Sequence, residues 1–234
     1  MRHLAQWFVA VAALGAGLSS DDILTKVADS TVGRQSFAYS ALREYKLHNL
    51  RVDKEARVLA RMTYHPAEGK HFTILESSGS PMLEGIIGKL LAYEADDSRP
   101  TNQASHAIGP SNYCGRLRGM EVKDGRVCYV MELTPKHNGK HLIKGTLWVD
   151  PGSFAVVRLD GRTAGSVSMW VGAPRIVEEF SEVAGLWLPS HTRAVTSGFL
   201  LGTTELDILY TNYRILGLDH TAQAGPQLPA SPIR

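Results

Sequence analysis

The sequence is poor in the features that mark several large classes of protein. It has only 2 cysteines in 234 residues and no C-x-x-C pair, which argues against a disulfide-stapled fold and a thiol redox motif. Lysine and arginine total 25 against 23 aspartate and glutamate residues, so the basic excess typical of nucleic-acid-binding proteins is missing. We therefore predict no nucleic-acid partner.

Recognisable patterns of catalytic residues are also missing. The sequence contains neither a G-x-S-x-G nucleophile motif nor a glycine-rich phosphate loop. Its 9 histidines are scattered, and His137 and His141 flank a predicted Asn-Gly turn, so no set has the spacing of metal ligands. We predict no catalytic residues, no metal, no cofactor and no enzymatic activity, and a hydrolase ranks last among the hypotheses.

A long apolar run occurs only at the beginning of the chain. Arg2 and His3 precede an almost wholly apolar stretch over residues 4–18, and small residues follow, which predicts a signal peptide over residues 1–20. The run is shorter than the roughly 20 residues of a membrane span, although a short anchor helix is the alternative. Cleavage after Gly17, Ser19 or Ser20 would leave no cysteine for lipid attachment. We expect a periplasmic protein that is not itself N-terminally lipidated.

Two helices are predicted. The first covers about residues 22–37, capped by Asp21 or Asp22. The second covers residues 80–93, with Ser80 as N-cap and Pro81 at the first helical position. Its three-four apolar spacing predicts a broad stripe that packs on the inner face of a sheet, formed by Met82, Leu83, Ile86, Ile87, Leu90 and Leu91.

Three glycines accompany the second helix: Gly79 precedes it, and Gly85 and Gly88 lie within it. They either ease movement of this helix as a lid or allow its close approach to the sheet, and the sequence leaves both readings open.

Alternating apolar residues and recurrent turn signals predict strands through most of the remaining chain. Residues 40–50 and 58–65 read as strands, residues 98–111 as a loop, and the stretch from residue 112 as an antiparallel meander. The predicted fold is mainly β with helices (α+β): a curved antiparallel half-barrel whose concave face is covered by the two helices. This domain covers residues 21–217, and residues 218–234 form a flexible tail. Cys114 and Cys128 are either disulfide-bonded or two free thiols.

Several strand segments resemble the LolA/LolB-like superfamily of outer-membrane lipoprotein-sorting proteins. The resemblance rests on residues 125–136 (GRVCYVMELTPK), 144–150 (KGTLWVD), 155–161, 185–189 and 206–210. It implies a half-open β-barrel lidded by helices, with a hydrophobic cavity for acyl chains. It also implies an arginine inside the cavity that holds the closed state, for which Arg43, Arg57 and Arg61 are candidates.

From this resemblance we predict an exported, non-catalytic carrier for lipid or lipoprotein acyl chains that serves outer-membrane biogenesis. Its partners would be a lipid or a lipidated protein and a membrane-associated protein. The alternative is a protein-interaction or envelope-stress sensing module of the same fold. An oily, partly empty hollow beneath the second helix would favour lipid binding, and a filled one would favour a scaffold. The candidate cavity and lid residues are Met62, Tyr64, Ile74, Met82, Ile86, Ile87, Leu90, Leu91, Trp148 and Trp170.

Overall fold

Ten β-strands and three helices make up the computed structural model, which describes residues 18–139, 141–165, 173–198 and 202–217. The predicted signal peptide lies almost wholly outside the described residues, and the predicted tail lies entirely outside them. The helices are α1 (Ser20–Gln35), α2 (Pro81–Asp97) and α3 (Pro100–Gln103). The strands are β1 (Tyr39–Asn49), β2 (Lys54–His65), β3 (Gly69–Gly79), β4 (Tyr113–Lys123), β5 (Arg126–Pro135), β6 (Ile143–Val149), β7 (Val156–Thr163), β8 (Arg175–Val183), β9 (Leu186–Gly198) and β10 (Gly202–Ile215).

All ten strands belong to one open, curved antiparallel sheet, as predicted. The strand order is β3-β2-β1-β10-β9-β8-β7-β6-β5-β4, so the first and last strands of the chain pair with each other, as the third and fourth strands from the β3 edge. The edges are β3 and β4, and the chain passes from one to the other through α2 and α3. The second helix therefore lies where the chain leaves one edge of the sheet for the other.

The strand register places one row of side chains on a single face across all ten strands. Directly opposed residues of antiparallel strands share a face. The row is apolar towards both ends and polar near its middle, and it runs Ser77, Val58, Tyr45, Ile208, Thr192, Glu178, Leu159, Leu147, Met131 and Leu117. This is the concave face, because both long helices pack on it.

Each long helix covers one apolar end of that face. Ile23, Leu24 and Val27 of α1 form a cluster with buried residues of β4–β7. The inner residues of α2 form a second cluster with β1, β2 and β10. The polar middle, on β8 and β9, lies between the two clusters.

Local signals explain where the helices begin. Ser19 and Asp22 form a reciprocal capping box, so α1 begins at Ser20, before the predicted start. The N-cap of α2 is Ser80 and its first residue is Pro81, as predicted, but α2 continues to Asp97. The segment predicted as a loop contains the one-turn helix α3. In the described part of the chain, no helix combines the length and apolar character needed to cross a membrane.

The two cysteines are free. Although β4 and β5 are neighbours, Cys114 lies opposite Thr134 and Cys128 lies opposite Glu121. The six-residue offset from Cys128 to Thr134 corresponds to about 20 Å of strand at roughly 3.4 Å per residue. A disulfide needs Cα atoms less than about 7 Å apart, so the disulfide alternative is wrong.

Candidate functional site

The interface between α2 and the sheet is filled with apolar side chains. Leu83, Ile87 and Leu91 recur every four residues and are 1%, 0% and 4% exposed. They pack in one cluster with Tyr45, Leu47, Ala56, Val58, Ala60 and Ile208. The expectation of a partly empty hollow beneath this helix is therefore wrong for this conformation. A ligand could reach these apolar residues only if α2 moved away.

The glycines of α2 are not there for close packing. A Cβ atom at Gly85 or Gly88 would have no heavy atom within 4 Å, so the close-approach reading is wrong at these two positions. Each glycine lowers helix stability by about 1 kcal/mol relative to alanine. Gly79 differs, because its φ of +108° and the 2.5 Å between an ideal Cβ and the Glu55 carbonyl oxygen both require glycine. Glycine thus fixes the turn into α2 and weakens the helix itself.

Arg43 of β1 is the most unusual residue of this interface, because its charged side chain is only 1% exposed. Its Nη1 lies 2.9 Å from Glu94 Oε1 on α2, and its Nη2 donates a 3.0 Å hydrogen bond to Tyr210 Oη. The guanidinium also lies 4.6–5.2 Å from the ring centroids of Tyr45, Phe72 and Tyr210. Its Nε atom is buried without a hydrogen-bond partner. Arg43 therefore joins strand β1 to the last turns of α2.

Glu94 receives a second cation from the edge strand β3. Lys70 Nζ lies 2.7 Å from the same Oε1 atom that contacts Arg43. Burial alone would raise the pKa of Glu94, but Arg43 and Lys70 outweigh burial and lower it to about 2. Glu94 is therefore ionised at neutral pH, and its carboxylate connects β1 and β3 to α2.

Polar side chains of β8 and β9 adjoin this contact on the concave face. Glu178 of β8 lies opposite Thr192 of β9, whose hydroxyl is 3.1 Å from Tyr210 Oη. Burial raises the pKa of Glu178, with the cations of Lys70 and Arg34 opposing the shift. Glu178 nevertheless retains some solvent exposure. The middle of the concave face is thus polar, unlike the oily lining expected from the sequence.

The end of α2 carries negative charge that the helix does not balance. Glu94, Asp96 and Asp97 lie in its last turn, which contains no basic residue. The partial negative charge of a helix C-terminus disfavours such acids by roughly 0.3–1 kcal/mol each. Compensating cations must come from outside, as Arg43 and Lys70 do for Glu94. At the same end, Asp97, His106 and His141 are close enough together to hold a metal ion.

The structure groups only part of the predicted site. Ile87 and Leu91 lie in the buried interface, with Ile86 and Leu90 partly buried against it. Met62 and Tyr64 are on the same face but in a neighbouring cluster, with Tyr39, Ala41, Leu188 and Ile215. Ile74 and Met82 are each 51% exposed, so neither lies in the interface in this conformation. Lipid contact by these residues stays a prediction.

The two predicted tryptophans do not join this group. Trp148 lies on β6 between Leu147 and Val149, both of which are buried in the core beneath α1. Because side chains alternate along a strand, Trp148 faces the convex side, where it contacts Glu121 and Arg158. Its placement in the cavity is therefore a wrong prediction. Trp170 lies outside the described residues.

Of the charged residues of the site, the sequence offered only Arg43, and there without preference over Arg57 and Arg61. Of the three candidate arginines, Arg43 is buried against α2, whereas Arg57 and Arg61 are exposed. Arg43 could have been singled out, because it is a lone charge at an odd-numbered position of β1, where the other inward residues are largely apolar. Glu94 and Lys70 gave no such signal, because their contact depends on how α2 crosses the sheet.

No protein-family model matches the chain, and no curated protein matches its sequence. Among solved structures, it is similar to a LolA superfamily protein from Nitrosomonas europaea, with 14% identity, a TM-score of 0.45 and coverage of 85% of this chain and 94% of that chain. A putative outer membrane lipoprotein-sorting protein domain from Vibrio parahaemolyticus is 11% identical, with a TM-score of 0.45 and coverage of 82% and 93%. A chain of the MucA/MucB complex from Pseudomonas aeruginosa is 10% identical, with a TM-score of 0.29 and coverage of 84% and 98%. The superfamily that the sequence resembles is thus among those found by structure. At these identities and scores, the similarity assigns no ligand and no residue role to this chain.

Proposed function

We propose that this protein is a non-catalytic carrier for the acyl chains of a lipid or lipidated protein, exported to the periplasm, and that α2 is its lid. The contact between Arg43 and Glu94 carries the proposal. A buried ion pair is often no more stabilising than apolar side chains of similar size, so a permanent core gains little from one. Between a helix and a sheet, however, an ion pair is a contact that is lost completely when the helix moves away. Arg43 thus takes the role of the arginine that holds the closed state.

The energies of opening and of ligand binding are comparable. Moving α2 away exposes Leu83, Ile87 and Leu91, each of which is stabilised by about 1.5–3 kcal/mol through burial. These three side chains contribute roughly 5–9 kcal/mol, and the contact between Arg43 and Glu94 adds about 3 kcal/mol. An acyl chain gains about 0.8 kcal/mol for each methylene group that it buries, so about 10–15 methylenes offset the opening. A single acyl chain of ordinary length can therefore replace α2 on the apolar wall.

Binding of a fluorescent fatty acid tests the proposal. Glu94→Gln should weaken the closed state and so increase the apparent affinity for the probe, by up to about 100-fold if closure limits binding. Glu76→Gln, an exposed glutamate on β3, is the matched control and should leave the affinity unchanged. Native mass spectrometry of the purified protein should detect acyl species. Absence of probe uptake by both the wild type and Glu94→Gln would contradict the proposal.

A protein-interaction module is the second candidate, because the β4–β5 hairpin exposes several apolar side chains. Met120 and Val122 lie on the edge strand β4, and Val127 lies beside them on β5. An exposed edge strand can add a strand from a partner protein. Under this hypothesis, Val122→Lys should abolish capture of the partner in pull-downs and leave acyl-probe binding unchanged. Loss of probe binding instead would count against an interaction role for this edge.

A further inference from the structure

Three side chains that can bind metals converge at the C-terminal end of α2. Asp97 is the last residue of α2, His106 follows α3, and His141 lies between β5 and β6. Their ligand atoms all lie within 4.8 Å of one another. His141 Nδ1 is 2.9 Å from Asp97 Oδ1, and His106 Nε2 is 3.4 Å from Asp97 Oδ2. Because three separate segments supply these residues, the spacing of histidines in the sequence could not reveal them.

The geometry points to a binding site for one divalent transition-metal ion of the zinc class, held by Asp97, His106 and His141. Zinc binds imidazole nitrogen and carboxylate oxygen at about 2.0–2.2 Å, so tetrahedral ligand atoms lie roughly 3.3–3.5 Å apart. The two contacts of Asp97 are within about 0.5 Å of that spacing. Two histidines and one carboxylate leave the fourth position for water or another ligand. Magnesium and calcium prefer all-oxygen sites, which this group does not provide.

Neighbouring side chains orient the two imidazoles. Ser105 Oγ lies 3.4 Å from His106 Nδ1, which leaves Nε2 directed at Asp97. Tyr93 Oη lies 2.7 Å from His141 Nδ1 and 2.9 Å from Nε2, and the two rings are stacked. The Ser105 contact, on the ring nitrogen of His106 that faces away from Asp97, is of the kind that fixes the ring orientation of histidines that bind metals.

The site also has room for an ion. A recess of about 250 Å³ adjoins it, lined in part by Asp97 and His141, which is ample for an ion and a bound water. A bound ion would join the end of α2 to the segment before β6, whether or not the protein carries lipid.

Isothermal titration of the tag-free, chelator-treated protein with Zn²⁺ tests this site, with Mg²⁺ titrated in parallel. We expect one Zn²⁺ per chain and no binding of Mg²⁺. His106→Gln and His141→Gln should each weaken Zn²⁺ binding by about 10–100-fold or more. The matched control is His137→Gln, a histidine on the same β5–β6 connection that lies outside the cluster, and it should bind Zn²⁺ like the wild type.

Two results would overturn the inference: no Zn²⁺ binding by the wild type, or equal affinities for the wild type and both histidine variants. Circular dichroism of the metal-free proteins identifies any variant that fails to fold. If a variant fails to fold, the visible absorption spectrum of the Co²⁺-substituted wild type tests the site instead. Strong visible absorption from a tetrahedral site, abolished by Asp97→Asn, would support the assignment. A spectrum of hexaaqua Co²⁺ would reject it.

Discussion

Removing the charge of Glu94 perturbs the contact on which the lid depends. Glu94→Gln retains the shape of the side chain but leaves Arg43, which is 1% exposed, without its counter-ion on α2. Removing one partner of a buried ion pair costs about 3–5 kcal/mol. The pKa of Glu94 falls from its ordinary 4.5 to about 2. At roughly 1.4 kcal/mol per pKa unit, this decrease corresponds to a stabilisation of the folded state by about 3 kcal/mol. The Glu94 side chain is 24% exposed, and solvent weakens its ion pair. We therefore expect Glu94→Gln to destabilise the closed state by about 3 kcal/mol, the lower end of this range.

Whether this loss of stability is confined to α2 or spreads through the domain distinguishes a lid from a fixed part of the core. If α2 opens by itself, Arg43 regains water as α2 moves away, and the remaining sheet keeps its stability. Amide hydrogen exchange in residues 81–97 should then accelerate by about 100-fold, with little change in the exchange of β5–β7. Urea unfolding monitors global stability in parallel, and Glu76→Gln again serves as the exposed control. Equal acceleration in α2 and in β5–β7 would show that α2 unfolds only with the domain and would refute the lid.

The same contact predicts a pH dependence. The folded pKa of Glu94 is lowered, so its stabilising contribution is fully present above the ordinary value of 4.5 and is lost as pH falls towards 2. Protection of α2 in the wild type should therefore decrease between about pH 4.5 and 2, whereas Glu94→Gln should lack this component. An identical acid dependence in both proteins would exclude Glu94 as its source.

Three further predictions concern local structure. Gly85→Ala and Gly88→Ala should each stabilise α2 by up to about 1 kcal/mol, because neither added methyl group meets another atom, and they should slow uptake of the acyl probe in stopped-flow measurements. Ser19→Ala should lower the free energy of unfolding by about 1 kcal/mol through loss of the capping box, and mass spectrometry of the exported protein should show that Ser19 is retained. Gly145→Ala should destabilise the sheet by about 1–3 kcal/mol in urea unfolding, because the new Cβ would overlap the backbone of Asp160.

The sequence predicted α2 well at its start and poorly at its end. Ser80 and Pro81 are local signals, and local signals survive in almost any tertiary context. The apolar stripe ends before Asp97, so nothing local continues the helix. The final turn depends instead on contacts with the sheet, chiefly those of Glu94 with Arg43 and Lys70. These contacts join residues far apart in the chain, and a single sequence does not reveal them.

The polar middle of the concave face could not be predicted for a related reason. In β8, Glu178 and Glu179 are adjacent, so one must face each side of the sheet, and alternation alone does not tell which. The register with β9 decides it, by placing Glu178 opposite Thr192. For Trp148, alternation was sufficient, because Leu147 and Val149 already indicate the buried face. The prediction that Trp148 lines the cavity followed its aromatic character and disregarded this alternation.

Ion pairs with other segments are concentrated at the C-terminal end of α2, which predicts the direction in which the lid opens. At the N-terminal end, the Ser80 N–H donates a 2.8 Å hydrogen bond to the Glu55 carbonyl, and Gly79 packs against the same backbone. At the C-terminal end, Glu94 and Asp97 depend on charged or metal-binding partners from other segments. Losing those partners also leaves the acids at the negative end of the helix dipole. The helix should therefore open from residue 97 towards residue 81.

Residue-resolved hydrogen exchange measures this direction. Glu94→Gln should accelerate exchange most in the last two turns of α2 and progressively less towards Pro81. If the inferred metal site is correct, Zn²⁺ should reverse part of that acceleration, and only in the last turns. Measuring Glu94→Gln with and without Zn²⁺ separates the effect of the Glu94 ion pair from that of the metal site, because this substitution leaves the metal ligands in place. A uniform acceleration along the helix would contradict a hinge at the N-terminal end and would mean that α2 leaves the sheet as a rigid unit.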